Sequence, residues 1–266
     1  MKKKILLSFT LICSLLTGCS QLDAALNEQI QKPMTEAPSE MISEDMQEFQ
    51  SFDLSNVSSV ENYYGEPSVK VNSNKPYFSE EELEAGRNSF EKYSDLDSLG
   101  RVGVAFASLS SNTMPKRGEL RGEIGSIKPT GWETKKYDCI NGMYLYNRCH
   151  LIAWCLSSEN ANPQNLCTGT RYMNVDGMLS YEEKVAKYLD ENPDNHVLYR
   201  ITPVFEGDNL LCNGVLMEAQ SVEDDGYGIT FCVFCYNVQP GIQINYATGE
   251  SSYTGIFLDK EANSVK

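Results

Sequence analysis

The sequence predicts an α+β fold built on a mostly antiparallel central sheet. One long amphipathic pattern sits mid-chain, strand-like alternation lies on both sides of it, and short turn signals separate the later strands. Residues 101–109 alternate and are rich in β-formers, so they read as a strand entering the core. Residues 110–132 carry Lys116, Arg117, Arg121 and the turn Lys128-Pro129-Thr130-Gly131, and read as a surface loop. A second strand is expected over 142–147, ending at His150; residues 160–169 read as an Asn-rich loop. Met178, Tyr181, Val185 and Leu189 recur at spacings of three and four, which makes 173–191 the best helix, stopped near Pro193. Three more strands are expected at 197–205, 214–222 and 229–238, with turns at Gly207-Asp208-Asn209 and Asp224-Asp225-Gly226.

The N-terminal region has a different character. Lys2, Lys3 and Lys4 precede an apolar run over 5–16, too short to span a bilayer comfortably and of the length of a secretory signal. Leu16-Thr17-Gly18-Cys19 resembles a bacterial lipobox, in which Cys19 becomes the lipidated N-terminus. The expected organisation is a lipoprotein signal at 1–18, Cys19 on an acidic disordered tether over 19–75, a catalytic domain at 76–250 and a tail at 251–266. Order is expected to begin near Pro76, because Ser79-Glu80-Glu81-Glu82 looks like a helix N-cap followed by acids. The expected location is the outer face of the cell membrane, lipid-anchored, with release into the medium as a variant.

Charge and cysteines constrain function. A formal net charge of −15 argues at first against a polyanionic substrate. Its distribution argues the other way: between Arg101 and His150, eight bases face four acids. Beyond Cys13 and Cys19 the cysteines form an odd set of seven without paired zinc-like spacings. Cys232 and Cys235 have CxxC spacing, but in a strand they would face opposite sides and read as packing residues. Only two histidines exist. His196 follows Asn192-Pro193-Asp194-Asn195 and reads as a turn residue, whereas His150 closes Asn147-Arg148-Cys149-His150 at a strand end, where scaffolds present reactive groups.

Several ordered blocks carry a family resemblance: residues 146–152 (Tyr146-Asn147-Arg148-Cys149-His150-Leu151-Ile152), Asn162-Pro163-Gln164-Asn165-Leu166, Thr168-Gly169-Thr170-Arg171-Tyr172-Met173-Asn174 and Tyr181-Glu182-Glu183-Lys184-Val185. With Arg200-Ile201-Thr202-Pro203-Val204, Asn237-Val238-Gln239-Pro240-Gly241 and Asn245-Tyr246-Ala247-Thr248-Gly249, the chain resembles the DNA/RNA non-specific endonucleases of the ββα-metal (His-Me finger) superfamily, in their streptodornase-like bacterial branch. The likeness covers roughly residues 95–249. It implies a ββα-metal motif, His150 as general base, Asn174 as the protein ligand to Mg²⁺ (with Mn²⁺ as a substitute), and Glu182 as the acid orienting water on the cation. It further implies that Asn165 braces the active-site loop; Arg148 is grouped with these catalytic residues, and Arg117 or Arg121 would hold the phosphate. DNA and RNA are the implied substrates, the membrane is met through the lipid anchor, and no protein partner is expected. Asn147 and Cys149 depart from the family's usual Asp and Gly. A histidine near its ordinary pKa would be partly unprotonated at neutral pH. The anchor and the basic segment leave two alternatives open: a receptor that binds nucleic acid without cutting it, and a hydrolase of phosphodiester-containing envelope polymers.

Overall fold

The computed structural model describes residues 62–255. The signal segment, Cys19 and the tether as far as residue 61 lie outside the described residues. In chain order the elements are β1 (Ser68–Lys70), α1 (Glu80–Ala85), β2 (Phe90–Tyr93), β3 (Ala105–Leu109), β4 (Tyr146–His150), α2 (Trp154–Ser157) and β5 (Leu166–Thr170). There follow α3 (Leu179–Glu191), β6 (Val197–Val204), β7 (Gly214–Ser221), β8 (Thr230–Tyr236), β9 (Ile242–Ile244) and β10 (Ser251–Tyr253). Six strands make one antiparallel sheet in the order β1-β8-β7-β6-β3-β2, and β4-β5 and β9-β10 form two separate pairs. The fold is therefore α+β, with antiparallel pairing throughout.

Three expectations change. Folded structure begins before residue 76, since β1 pairs with β8 from Ser68↔Cys235 to Lys70↔Val233; a three-residue strand is too short to show alternation. The segment 251–266 does not start as a tail, because β10 pairs with β9. Part of the Asn-rich loop is β5, all of it buried, so its sequence Leu-Cys-Thr-Gly-Thr lacks the half-polar alternation that marks a strand with one wet face.

The large sheet is covered on both faces. Along β6, β7 and β8, alternate residues such as Tyr199, Met217 and Val233 face the main core with Val185 and Leu189 of α3. Their neighbours Leu216 and Phe234 fill a second cluster, and Leu198 and Phe106 a third, on the opposite side. Cys232 and Cys235 fall in different clusters, as strand periodicity requires, and all seven cysteines from Cys139 onward are free.

On the second face, α1 starts with a capping box: Ser79 Oγ accepts from Glu82 N at 3.1 Å and Glu82 Oε2 accepts from Ser79 N at 2.9 Å. The same Glu82 accepts from Arg200 Nη1 at 2.8 Å, while Arg200 Nε donates to the fully buried Glu218 at 2.7 Å. This ion network fixes α1 on the sheet, away from the β4-β5 pair.

The β4-β5 pair is fastened to the sheet through Asn237, just past β8. Its Oδ1 accepts from Thr170 N at 2.8 Å, and its Nδ2 donates to Thr168 O at 3.1 Å and Cys212 O at 2.9 Å. Asn237 is fully buried, so truncation would leave several main-chain groups unpaired. Asn237→Ala is expected to lower unfolding free energy by about 2–4 kcal/mol in a urea titration; a change within 0.5 kcal/mol would show that this fastening is not structural.

Candidate active site

Strands β4 and β5 pair antiparallel from Tyr146↔Thr170 to His150↔Leu166, and the chain then enters a π-helical turn (Met173–Met178) continuous with α3. Thr170 Oγ1 starts that turn by accepting from Met173 N at 3.0 Å, and Leu179 N–H closes it on the carbonyl of Asn174, five residues back. The result is a strand–strand–helix unit with His150 at the end of one strand and Asn174 at the head of the helical segment.

His150, Asn174, Glu182, Arg148 and Arg121 all line one cleft of about 740 Å³. His150 is 6% exposed. Its Nε2 lies 2.8 Å from the carbonyl oxygen of Asn160, which can only accept, so Nε2 carries the proton. Nδ1 is then the lone-pair nitrogen and accepts from Arg121 Nη2 at 2.9 Å. Burial pushes the imidazole pKa down to about 4; the Asn160 carbonyl opposes this, and the Arg121 charge adds to it. The expectation of a histidine near its ordinary pKa, partly unprotonated at neutral pH, is corrected: burial leaves this imidazole essentially all unprotonated there.

Asn174 Oδ1 accepts from Cys149 Sγ at 3.0 Å, so the unusual cysteine beside His150 touches the amide expected to meet a cation. Glu182 projects from α3 into the cleft and is 9% exposed. Its pKa is pushed up to about 8 by burial, against a downward pull from Arg121, and its carboxyl has no hydrogen bond or ion pair among the described residues. An amide oxygen and a buried carboxyl without a hydrogen-bond partner among the described residues, both lining the cleft, suit a hard, hydrated cation such as Mg²⁺. Among the described residues no group of three His, Cys, Asp or Glu side chains could hold a metal.

The remaining expected residues divide. Asn165 is fully buried beneath the cleft and grips the segment after His150: Oδ1 accepts from Ile152 N at 2.8 Å and Nδ2 donates to Ile152 O at 2.9 Å. Arg148 donates to the carbonyls of Ile127 and, at 2.8 Å, Gly125, and its guanidinium lies 4.0 Å from the Trp132 ring centroid, so it ties down the basic loop. Arg117 is exposed and not among the cleft residues, so Arg121 is the loop arginine brought to His150. His196 lies elsewhere, bonded to Glu223 at 2.8 Å. The carbonyl of Asn160 had no signal in the sequence, since any residue could supply it; Tyr144, Trp154 and Arg171 also line the cleft.

The sequence profile of the DNA/RNA non-specific endonuclease family matches residues 81–223, more than half of the chain. The chain belongs to that family. A deoxyribonuclease of Streptococcus dysgalactiae subsp. equisimilis is 35% identical over 119 residues, which are 43% of this chain and 34% of that protein; the chain thus spans about a third of this relative's length. The crystal structure of NucA from Streptococcus agalactiae with magnesium ion bound shares the fold, with TM-score 0.63 and 24% identity over 78% of this chain and 96% of NucA. The structure of Sda1 nuclease with bound zinc ion does so at TM-score 0.59 and 24% identity, over 72% of this chain and 98% of Sda1.

In this member of the family the buried Glu182 sets a pH dependence. The unfolded chain releases this proton near 4.5 and the folded protein near 8, so the folded state binds more protons in between and stability falls as pH rises across that window. Glu182→Gln, which has no proton to lose, should therefore gain stability relative to wild type from pH 5 to 8, by on the order of a few kcal/mol in chelator-treated protein. Parallel stability curves for the two proteins would contradict the assignment.

Proposed function

We propose that this chain is an exported, lipid-anchored endonuclease that hydrolyses phosphodiester bonds of DNA, and of RNA, without sequence preference. His150 serves as general base and Mg²⁺, replaceable by Mn²⁺, as the divalent cation. The observation that carries the reading is that His150, whose Nδ1 keeps its lone pair, lines the same cleft as Asn174 and Glu182. Family membership and the streptococcal deoxyribonuclease support a nucleic-acid substrate. The lipobox-like Leu16-Thr17-Gly18-Cys19 supports the anchor and the outer membrane face.

Phosphodiester hydrolysis needs an activated water, in-line geometry and positive charge at the phosphorus. Nδ1 of His150 accepts the proton of the attacking water, and the Nε2–H bond to Asn160 holds the ring while charge develops on it. Arg121, the residue now occupying Nδ1, turns to the phosphate when substrate enters, which both holds the substrate and frees the base. Asn165 keeps the chain beyond His150 in register during this exchange. Asn174 and Glu182 would hold Mg²⁺ and its waters; a cation there stabilises charge on the phosphorus and on the leaving oxygen. Phosphate contacts carry no base information, so little sequence preference and strong salt inhibition follow.

The test is nicking of supercoiled plasmid by the purified protein with Mg²⁺, and its loss with chelator. His150→Ala should lower kcat by about 10²- to 10⁴-fold with the fold retained in far-UV circular dichroism, while Asn174→Ala should raise the cation concentration needed for half-maximal rate. At saturating Mg²⁺, which removes the Glu182 proton from the comparison, the acid limb of kcat/KM should fall near pH 4. Wild-type rates in His150→Ala would remove the base, and an acid limb at 6.5 would show that the imidazole is not held as described.

A further inference from the structure

One wall of the cleft is not used by this mechanism. It is formed by Gly142, Tyr144 and Arg171, which line the same cavity as His150 and Asn174. Tyr144 is 47% exposed, although it sits on a well-braced turn. Its backbone bridges to Lys136, Tyr137 N donates to Met143 O at 2.9 Å, and Leu145 N donates to Lys135 O at 3.0 Å. Lys136 Nζ lies 4.5 Å from the centroid of the Tyr144 ring. The braced backbone sets where the Tyr144 ring leaves the turn, and the ring face turned away from Lys136 can receive another flat group.

Arg171 stands next to it. Its backbone N–H bonds Leu145 O at 2.8 Å, tying the Tyr144 turn to the segment that carries Asn174 three residues later. Its guanidinium lies against Gly142, where a Cβ would be 3.7 Å from Cζ. Gly142 has φ +80°, so the backbone there also favours glycine. The other two cleft arginines are engaged, Arg121 with His150 and Arg148 with loop carbonyls. The Arg171 side chain has neither an ion pair nor a hydrogen bond among the described residues, and it is only partly exposed.

Resting on the nuclease reading, we propose that Tyr144 and Arg171 form a subsite for the nucleotide beside the one being cut, the ring stacking on its base and the guanidinium holding its phosphate. In a continuous duplex both faces of each base are already stacked, so only an unpaired or flipped base can offer a face to Tyr144. The preferred substrate class of the cleft is therefore single-stranded nucleic acid, or the unpaired regions of duplexes. The basic charge that guides a phosphate backbone and an aromatic ring that accepts any base are the two components of sequence-tolerant single-strand binding.

The subsite is tested by steady-state cleavage of a single-stranded oligonucleotide and of a duplex with the same sequence, with Mg²⁺. Tyr144→Ala should raise KM for the single strand about 5- to 100-fold and for the duplex much less, and Tyr144→Phe should restore the single-strand value. In the His150→Ala background, fluorescence anisotropy measures binding without cutting. There Arg171→Gln should weaken single-strand affinity and reduce the salt dependence by about one phosphate contact. If wild type cuts neither substrate, the nuclease reading fails, and stronger binding of the single strand than of the duplex that disappears in Tyr144→Leu would still support the subsite. If wild type cuts both and Tyr144→Ala leaves their KM ratio unchanged, the subsite is overturned while the nuclease reading stands. An unchanged salt dependence in Arg171→Gln removes the phosphate contact.

Discussion

The site depends on one hydrogen bond, from Nε2–H of His150 to the carbonyl of Asn160. A carbonyl cannot donate, so this contact decides which ring nitrogen carries the proton and leaves Nδ1 as the lone pair directed at Arg121. Burial and the arginine then keep the ring uncharged across the neutral range. A base with so low a pKa accepts a proton weakly in the resting protein, and a substrate phosphate that draws Arg121 away removes part of the cause. In the proposed mechanism, binding and activation of the base are thereby joined in one exchange of partners.

The rest of the molecule keeps that bond in place. Asn165 grips Ile152, two residues past His150, and Asn237 fastens β5, the strand paired with His150, to the large sheet. The π-helical turn changes the winding at the point where Asn174 leaves the strand pair for α3. Glu182 is the corresponding tension on the other side: burial holds its carboxyl largely protonated at neutral pH, and ionising it there is costly because the Arg121 charge offsets the burial only in part. The proposed cation would offset that cost, because positive charge near the carboxyl favours its ionised form.

Much of this was legible in the sequence, for identifiable reasons. The later strands β6, β7 and β8 and the helix through α3 follow their periodicities closely, since each has enough residues to establish one. Cys232 and Cys235 resolved as packing residues for the same reason. Strands β1, β9 and β10 have three residues each, and β5 is buried throughout, so neither alternation nor turn signals exposed them. His150, Asn174 and Glu182 were found through ordered motif blocks and do share a cleft; Arg117 belongs to the same basic loop but not to that cleft, because charge in a sequence says nothing of which side chain a loop turns inward. The Asn160 carbonyl and the depressed pKa of His150 are properties of three-dimensional burial, which a motif does not encode.

The tautomer of His150 is read by ¹⁵N NMR of the two imidazoles at neutral pH, with His196→Gln assigning His150 by elimination. The expected spectrum is that of a neutral ring at pH 7 with the proton on Nε2 and an unprotonated Nδ1. A His150 signal from the Nδ1–H tautomer, or from a doubly protonated ring at that pH, would contradict it.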